Sequence, residues 1–341
     1  MDFRDFWYIV SESGRLKPDT VISRKVLGEW LAIFRDETGK AVALQDRCLH
    51  RSSQISRGKV SNGKLTCPYH GWTYDGAGRV VAIPAEGPEG YLKTRKCAVR
   101  YQVREQEGYV YVRLNEKPAE DFQPFPIPHI GEKGWKHIRL VHKFNNNVTN
   151  CAENFVDVPH TVFVHPTIFR NATNEKFGAV VRRENGAVQV EYKNERKNLG
   201  IFSRFLNPSG GEIVHRDNFY MPNVTCVEYI FGPKRHFYIT SQCVPETEDE
   251  TLVYTDLTYD YGIWNFLSGP IVRKQAKIII GQDVEILNNQ MKTMKRYNEK
   301  FIHNAQADVI HVMIDSIRSE IEKGGDPRKL PPKTTEIEFW V

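Results

Sequence analysis

The tightest constraint on this chain lies in residues 48–71, CLHRSSQISRGKVSNGKLTCPYHG, where Cys48-x-His50 and Cys67-x-x-His70 stand with sixteen residues between them. Each short loop carries one Cys and one His, and Gly58, Asn62 and Gly63 mark a turn between the loops. Two thiolates and two imidazoles make a complete four-ligand set for zinc or iron. Because the loops punctuate β-prone segments, the fold has to bring two strand-connecting loops together.

The surrounding pattern agrees. Residues 1–115 alternate β-prone runs (FWYIV, EWLAIF, AVALQ, GYVYVRL) with Gly, Asn and Pro turns and show no helical period, which predicts a small, mostly antiparallel β domain. Proline-rich residues 116–134 break both periodicities and predict a connection. Residues 135–341 form the second domain. It opens with a strand, WKHIRLVHKF, followed by a helix from Val148 or Thr149 to about Val158. Strands follow at AVVRREN, AVQVEYK, VTCVEYIFG, RHFYITSQCV and TLVYTDLTYDY, the last two joined as a hairpin through PETEDE. After Trp264, Ile280, Val284, Leu287, Met291 and Met294 form one apolar stripe on a helix of about four or five turns. A last amphipathic helix, about Asp308 to Lys323, ends at Gly324-Gly325-Asp326-Pro327. The fold class is α+β.

With 341 residues the chain can build two cores, and no apolar run approaches the length of a bilayer span. The N-terminal MDFRDFWYIVSES carries Asp2 and Asp5 and no secretory pattern, so a cytoplasmic location is expected. A net charge of +5 spread along the chain points to neither nucleic acid nor membrane as a partner. Of six sparse cysteines, Cys97, Cys151, Cys226 and Cys243 lie outside any ligand pattern and read as buried, inert thiols.

A structural zinc site is one reading of the Cys/His set, although zinc fingers usually pair Cys with Cys and His with His. One Cys and one His per loop suits a two-iron cluster, with both thiolates on one iron and both imidazoles on the other. Cys48-x-His50 and Cys67-Pro68-Tyr69-His70-Gly71-Trp72 resemble the Rieske [2Fe–2S] motif.

A second constellation follows in NCAENFVDVPHTVFVHP. Asn154, Asp157 and His160 fall at i, i+3 and i+6 of the expected helix, and His165 comes five residues after His160. On a regular helix those two rings point about 140° apart, so the backbone must bend before they can share a metal, and Pro166 disfavours helical geometry at His165. Two unrelated histidines are the plain alternative. Against it stands Asp157, since a ligating imidazole generally donates its other N–H to a carboxylate or carbonyl. Asp283 lies on the apolar stripe of its helix, where an unpaired carboxylate would cost several kcal/mol, and a cation or a Lys or Arg partner would relieve it. Glu285 points off the stripe. Two His and one carboxylate form the facial triad of non-haem Fe(II) oxygenases.

Asp157-x-x-His160-x4-His165 followed by Asp283 is similar to the catalytic domain of Rieske non-haem iron oxygenase α subunits, in the monooxygenase and demethylase branch. The resemblance implies a Rieske domain followed by a helix-grip-like domain, an antiparallel sheet covered by helices. It implies a cluster on Cys48, His50, Cys67 and His70, and mononuclear Fe(II) on His160, His165 and Asp283. Asp157 and Asn154 are the candidate catalytic residues. Asp157 matches the aspartate that bridges His160 to His70 of a neighbouring subunit in a homotrimeric ring. NAD(P)H would act indirectly, through a separate reductase or ferredoxin, because the chain has no flavin or dinucleotide fingerprint. The implied activity is hydroxylation or oxidative demethylation, with O2, of a small aromatic or N-/O-methylated substrate. Ring dihydroxylation to a cis-diol is the alternative, and a zinc or Rieske module without enzymatic activity a more distant one. Phe169, Phe202, Phe205, Tyr220 and Phe231 are candidates for a pocket, with core packing as the plainer reading.

Overall fold

Lys59–Ser61 and Lys64–Thr66 pair antiparallel with Ser61 opposite Lys64, so the chain reverses over Asn62-Gly63 alone. Both residues have positive φ (50° and 69°), the conformation that a two-residue hairpin matched to strand twist requires. This tight turn is the centre of the segment that carries the four Cys and His residues. A computed structural model describes residues 1–166, 176–193, 213–231, 235–262, 265–298 and 303–340 of the chain.

Two compact units result. One comprises Asp2–Pro124 with Pro245–Thr247, the other Met1, Phe125–Val244 and Glu248–Val341. The boundary at 124/125 falls inside the proline-rich 116–134 segment.

The first unit holds strands β1 (Tyr8–Glu12), β2 (Val21–Val26), β3 (Glu29–Arg35), β4 (Ala41–Gln45), β5 (Lys59–Ser61), β6 (Lys64–Thr66), β7 (Thr73–Tyr74), β8 (Val80–Ala82), β9 (Arg100–Gln106) and β10 (Tyr109–Arg113). They form a six-stranded sheet, β1-β10-β9-β4-β3-β2, and a four-stranded sheet, β5-β6-β7-β8. Phe34, Val42 and Leu44 from the first and Leu65, Tyr74 and Val80 from the second share one core, and Cys48 and Cys67 are buried in it.

The second unit contains β11 (Lys136–Phe144), helices α1 (Val148–Asn154) and α2 (Thr161–Val164), then β12 (Lys176–Glu184), β13 (Ala187–Lys193), β14 (Ile213–Tyr220), β15 (Val224–Phe231), β16 (Arg235–Pro245) and β17 (Thr251–Asp260). Helices α3 (Asn265–Tyr297) and α4 (Val309–Glu322) follow, and β18 (Lys333–Trp340) closes the chain. The strands form one sheet, β11-β17-β16-β15-β14-β13-β12-β18. Helix α3 packs on β11 and α4 on β13, so the domain is an antiparallel sheet covered by helices. No helix among the described residues is long and apolar enough to cross a membrane.

Three expectations are corrected. Helix α1 stops at Asn154 instead of reaching Val158: Val156 N–H turns back to Glu153 O at 2.8 Å, and Pro159 disfavours helical geometry at Val158. Asp157 and His160 therefore lie in a turn and not on a helix face. Helix α3 runs 33 residues, about nine turns, because exposed residues such as Phe266, Ile271 and Ile278 extend it beyond its buried stripe. Cys97 is exposed, in an isolated bridge to Arg79 at the edge of the first unit, while Cys151, Cys226 and Cys243 are buried.

Candidate metal centres

In the first unit the two thiols are buried and the two imidazoles exposed. The His50 and His70 rings meet edge to face, with centroids 4.5 Å apart, and His50 stacks on Trp72. Backbone bonds hold each loop: Cys48 N donates to Ser53 O, and Cys67 N to Trp72 O, both at 2.8 Å. Gly71 has φ +74°, and a Cβ there would stand 2.8 Å from Pro84 Cγ, so no side chain fits. Burial pushes the Cys67 thiol up, and neighbouring Cys48 adds to the shift, so charging Cys67 calls for a metal cation beside it. Desolvation and the His70 charge lower His50, favouring the neutral ring that a ligand needs. Tyr74 Oη accepts Leu49 N–H at 3.0 Å and lies 3.2 Å from Cys48 Sγ, placed to donate to a thiolate. Thiolates inside and imidazoles at the surface fit a two-iron cluster with an inner and an outer iron.

In the second unit the turn after α1 and the long helix α3 bring three side chains together. His160 heads α2, and His165 follows its last residue with φ −118° and ψ 54°, outside helical geometry. The bend aims both rings at α3, their centroids 5.4 Å apart. Asp283 Oδ1 lies 3.5 Å from His160 Nε2 and 3.0 Å from His165 Nε2, and the three ligand atoms lie within 4.8 Å of one another. That oxygen is buried and accepts no hydrogen bond. Among the described residues no Lys or Arg pairs with Asp283.

Of the outer nitrogens, that of His165 is hydrogen-bonded and that of His160 faces a carboxylate without a hydrogen bond. Gln282 Oε1 is 2.8 Å from His165 Nδ1, so that nitrogen carries hydrogen and Nε2 is the atom presented to Asp283. A lone pair and a carboxylate oxygen at that distance repel unless a second proton or a cation lies between them. Asp157 Oδ2 stands 3.3 Å from His160 Nδ1. Burial disfavours charge on His160, but Asp157 and Asp283 outweigh it and raise its pKa to about 9. Burial likewise opposes ionisation of Asp283, and the two imidazoles more than offset it. The donor set, two imidazoles and a carboxylate with an orphaned oxygen, fits a divalent iron.

These residues border a cavity of about 120 Å³, also lined by Asn154, whose buried Nδ2 has no hydrogen-bond partner. The walls are mainly apolar, with Val227, Phe237, Ile239 and Leu257 from the sheet and Val272 and Ile279 from α3. Phe231 lines the cavity; Tyr220 instead packs against Phe125, with ring centroids 4.9 Å apart and the planes tilted by 40°. Phe169, Phe202 and Phe205 lie outside the described residues. Sequence reasoning missed Gln282, Tyr74, and the cavity residues His215 and Asp217. The last two stand at i and i+2 in IVHRDNFY, an alternation that would have marked one strand face.

Comparison with known proteins agrees with this layout. Residues 6–102 match the Rieske [2Fe-2S] domain, and residues 144–317 match the vanillate O-demethylase oxygenase C-terminal domain. The chain belongs to the Rieske non-haem iron oxygenases, in the group that carries the vanillate demethylase type of C-terminal domain. Among its relatives, 4beta-methylsterol monooxygenase of Methylococcus capsulatus is 34% identical over 159 residues, 46% of this chain and 43% of that one. Methylxanthine N1-demethylase of Pseudomonas putida is 31% identical over 201 residues, 55% of each. The match thus spans about half the length of these relatives. The crystal structure of dicamba monooxygenase bound to dicamba shares the fold, with a TM-score of 0.79, 20% identity and coverage of 94% of this chain and 98% of that one.

Proposed function

We propose that this chain is the terminal oxygenase component of a multicomponent monooxygenase or demethylase. Cys48, His50, Cys67 and His70 would hold the [2Fe–2S] cluster, and His160, His165 and Asp283 the mononuclear Fe(II). The observation that carries this reading is the orphaned Asp283 oxygen facing two imidazole Nε2 atoms at an apolar cavity, in a chain that also has a Rieske domain. When bound, the cluster supplies single electrons and the iron supplies the redox chemistry that activates O2.

The chain's own residues then have distinct tasks. Gln282 fixes the His165 ring, and Asp157 holds His160 from its Nδ1 side. The apolar walls bind the substrate skeleton and limit water. Overall, a C–H bond, O2, two electrons and two protons become a C–OH bond and one water. Where the carbon is a methyl on O or N, the product is a hemiacetal or aminal that releases formaldehyde, so one hydroxylation chemistry covers both outcomes. The activities for which the methylsterol and methylxanthine enzymes are named support this branch.

Electrons would come from NAD(P)H through a separate reductase or ferredoxin. Asp157, one-third exposed, would bridge to His70 of a neighbouring copy in a homotrimeric ring. Six unpaired cysteines support a cytoplasmic setting. The test is a screen of methoxylated aromatics and N-methyl compounds for substrate-dependent NADH consumption with a surrogate reductase under labelled O2. One labelled oxygen atom in the product, or stoichiometric formaldehyde, supports the reading. A cis-diol moves the protein to the dioxygenases, and zinc in place of iron removes the enzyme claim.

A further inference from the structure

The sheet side of the cavity carries a polar group that the iron chemistry does not use. His215 and Asp217 sit two residues apart on β14, so both side chains share one face, and both line the cavity. Across the ladder, His215 pairs with Tyr229 and Tyr229 with Phe237, while Asp217 pairs with Val227 and Val227 with Ile239. On the other side Asp217 pairs with Val190, so His215 and Asp217 are polar positions within rows that are otherwise aromatic or aliphatic.

Each of the two is 2% exposed. His215 Nε2 lies 2.9 Å from Asp217 Oδ1, and the Tyr192 hydroxyl donates to Asp217 Oδ2, also at 2.9 Å. Tyr192 and Tyr229 stack on the imidazole, with centroids at 4.6 and 4.2 Å. The ring therefore has a fixed position, and Asp217 fixes which nitrogen carries the shared proton. Burying such a pair costs desolvation that its attraction often fails to offset, and apolar residues would pack there at least as well. Its location on the cavity wall gives the pair a use beyond packing. The walls carry the carboxylates of Asp157 and Asp217, so a substrate carboxylate would meet like charge.

We propose that His215, oriented by Asp217, hydrogen-bonds the polar end of an uncharged, largely apolar substrate that carries one hydroxyl or amide-like group. Calling the ligand a substrate rests on the oxygenase reading above; the binding does not. His215 is the binding residue, and Asp217 and Tyr192 are positioning residues.

The test is calorimetric titration of the iron-loaded holoprotein with 4-methoxyphenol, 4-methylanisole, which has nearly the same shape and lacks the hydroxyl, and 4-methoxybenzoate. The phenol is expected to bind about tenfold tighter than 4-methylanisole, the worth of one buried hydrogen bond, and the benzoate weakest of the three. In His215→Leu the two neutral compounds bind equally, with 4-methylanisole unchanged. His215→Gln keeps part of the preference and Tyr192→Phe weakens it, and these two variants carry the test if His215→Leu does not fold. A preference that survives all three substitutions overturns the proposal, as does no preference or no binding in the wild type, or tightest binding of the benzoate. Iron content and NADH consumption are measured on the same samples. Discrimination with no O2-dependent turnover of any compound in the screen above leaves the binding proposal standing and sinks the oxygenase reading; turnover with unaltered discrimination in the variants sinks this proposal alone.

Discussion

Asp283 is 3% exposed, and its nearest polar neighbours are two imidazoles. Asp283→Ala removes the carboxylate from a set whose other members belong to a different segment. The expected outcome is loss of turnover and a fall from about three irons per chain to about two, with the cluster's visible absorbance intact. Loss of both iron signals would mean that Asp283 supports folding instead. This residue was legible in the sequence because a carboxylate interrupts an apolar stripe of known period. Gln282 was not: one residue back on a helix points about 100° away, and its partner His165 is fixed by a bend that no local pattern sets. Tyr74 was hidden for a similar reason, since in sequence it is one aromatic residue among many in short strands. Its hydroxyl at Cys48 Sγ favours the more negatively charged, reduced cluster. Tyr74→Phe is expected to lower the cluster potential by about 50 mV, readable by redox titration, with the cluster still assembled. An unchanged potential would mean that the hydroxyl does not act on the cluster.

Among the elements, most strands of the second domain were readable as β-branched and aromatic runs between turns, and AVQVEYK also alternates, with every second residue buried. β14 and β18 were not picked out: HRDN puts polar residues on a face that the cavity buries, and KTTE is a largely exposed polar run on an edge strand. The end of α1 is local, set by the turn before Pro159, but its place in the domain is tertiary. Its Glu153 is buried against His311 of α4, joining two helices far apart in sequence. Burial raises the Glu153 carboxyl, partly opposed by His311, and the bond to Glu153 raises His311 above its usual 6.5. Both groups hold a proton more readily in the folded chain than in the unfolded one. The His311 contribution is then fully present below pH 6.5 and is lost as pH rises through its raised folded value. Melting curves of the wild type and His311→Gln should therefore differ most below pH 6.5 and converge as pH rises through the raised folded value. A gap that stays constant over that range would show that the pair acts by packing alone.

For the whole molecule, the open matter is which cluster serves which iron. Asp157 holds His160 from one side and is one-third exposed, while His70 in the other compact unit is also exposed, so each is free to meet its counterpart on another copy. If electrons cross between copies in a closed ring, two differently disabled chains should rescue each other. His70→Ala chains would lack a working cluster but keep the iron site, and Asp283→Ala chains would lack the iron but keep the cluster. Neither homotrimer should turn over. In mixed rings formed by co-expression at equal levels, a junction works when an intact cluster precedes an intact iron site. Random assembly makes that one junction in four, so activity should recover to about a quarter of wild type. Adding Asp157→Ala to the His70→Ala chain should abolish the rescue, because that chain supplies the receiving iron site. Adding it to the Asp283→Ala chain should leave the rescue intact, because there only the cluster is used. Mixed rings of confirmed composition with no activity would mean that each cluster serves the iron of its own chain.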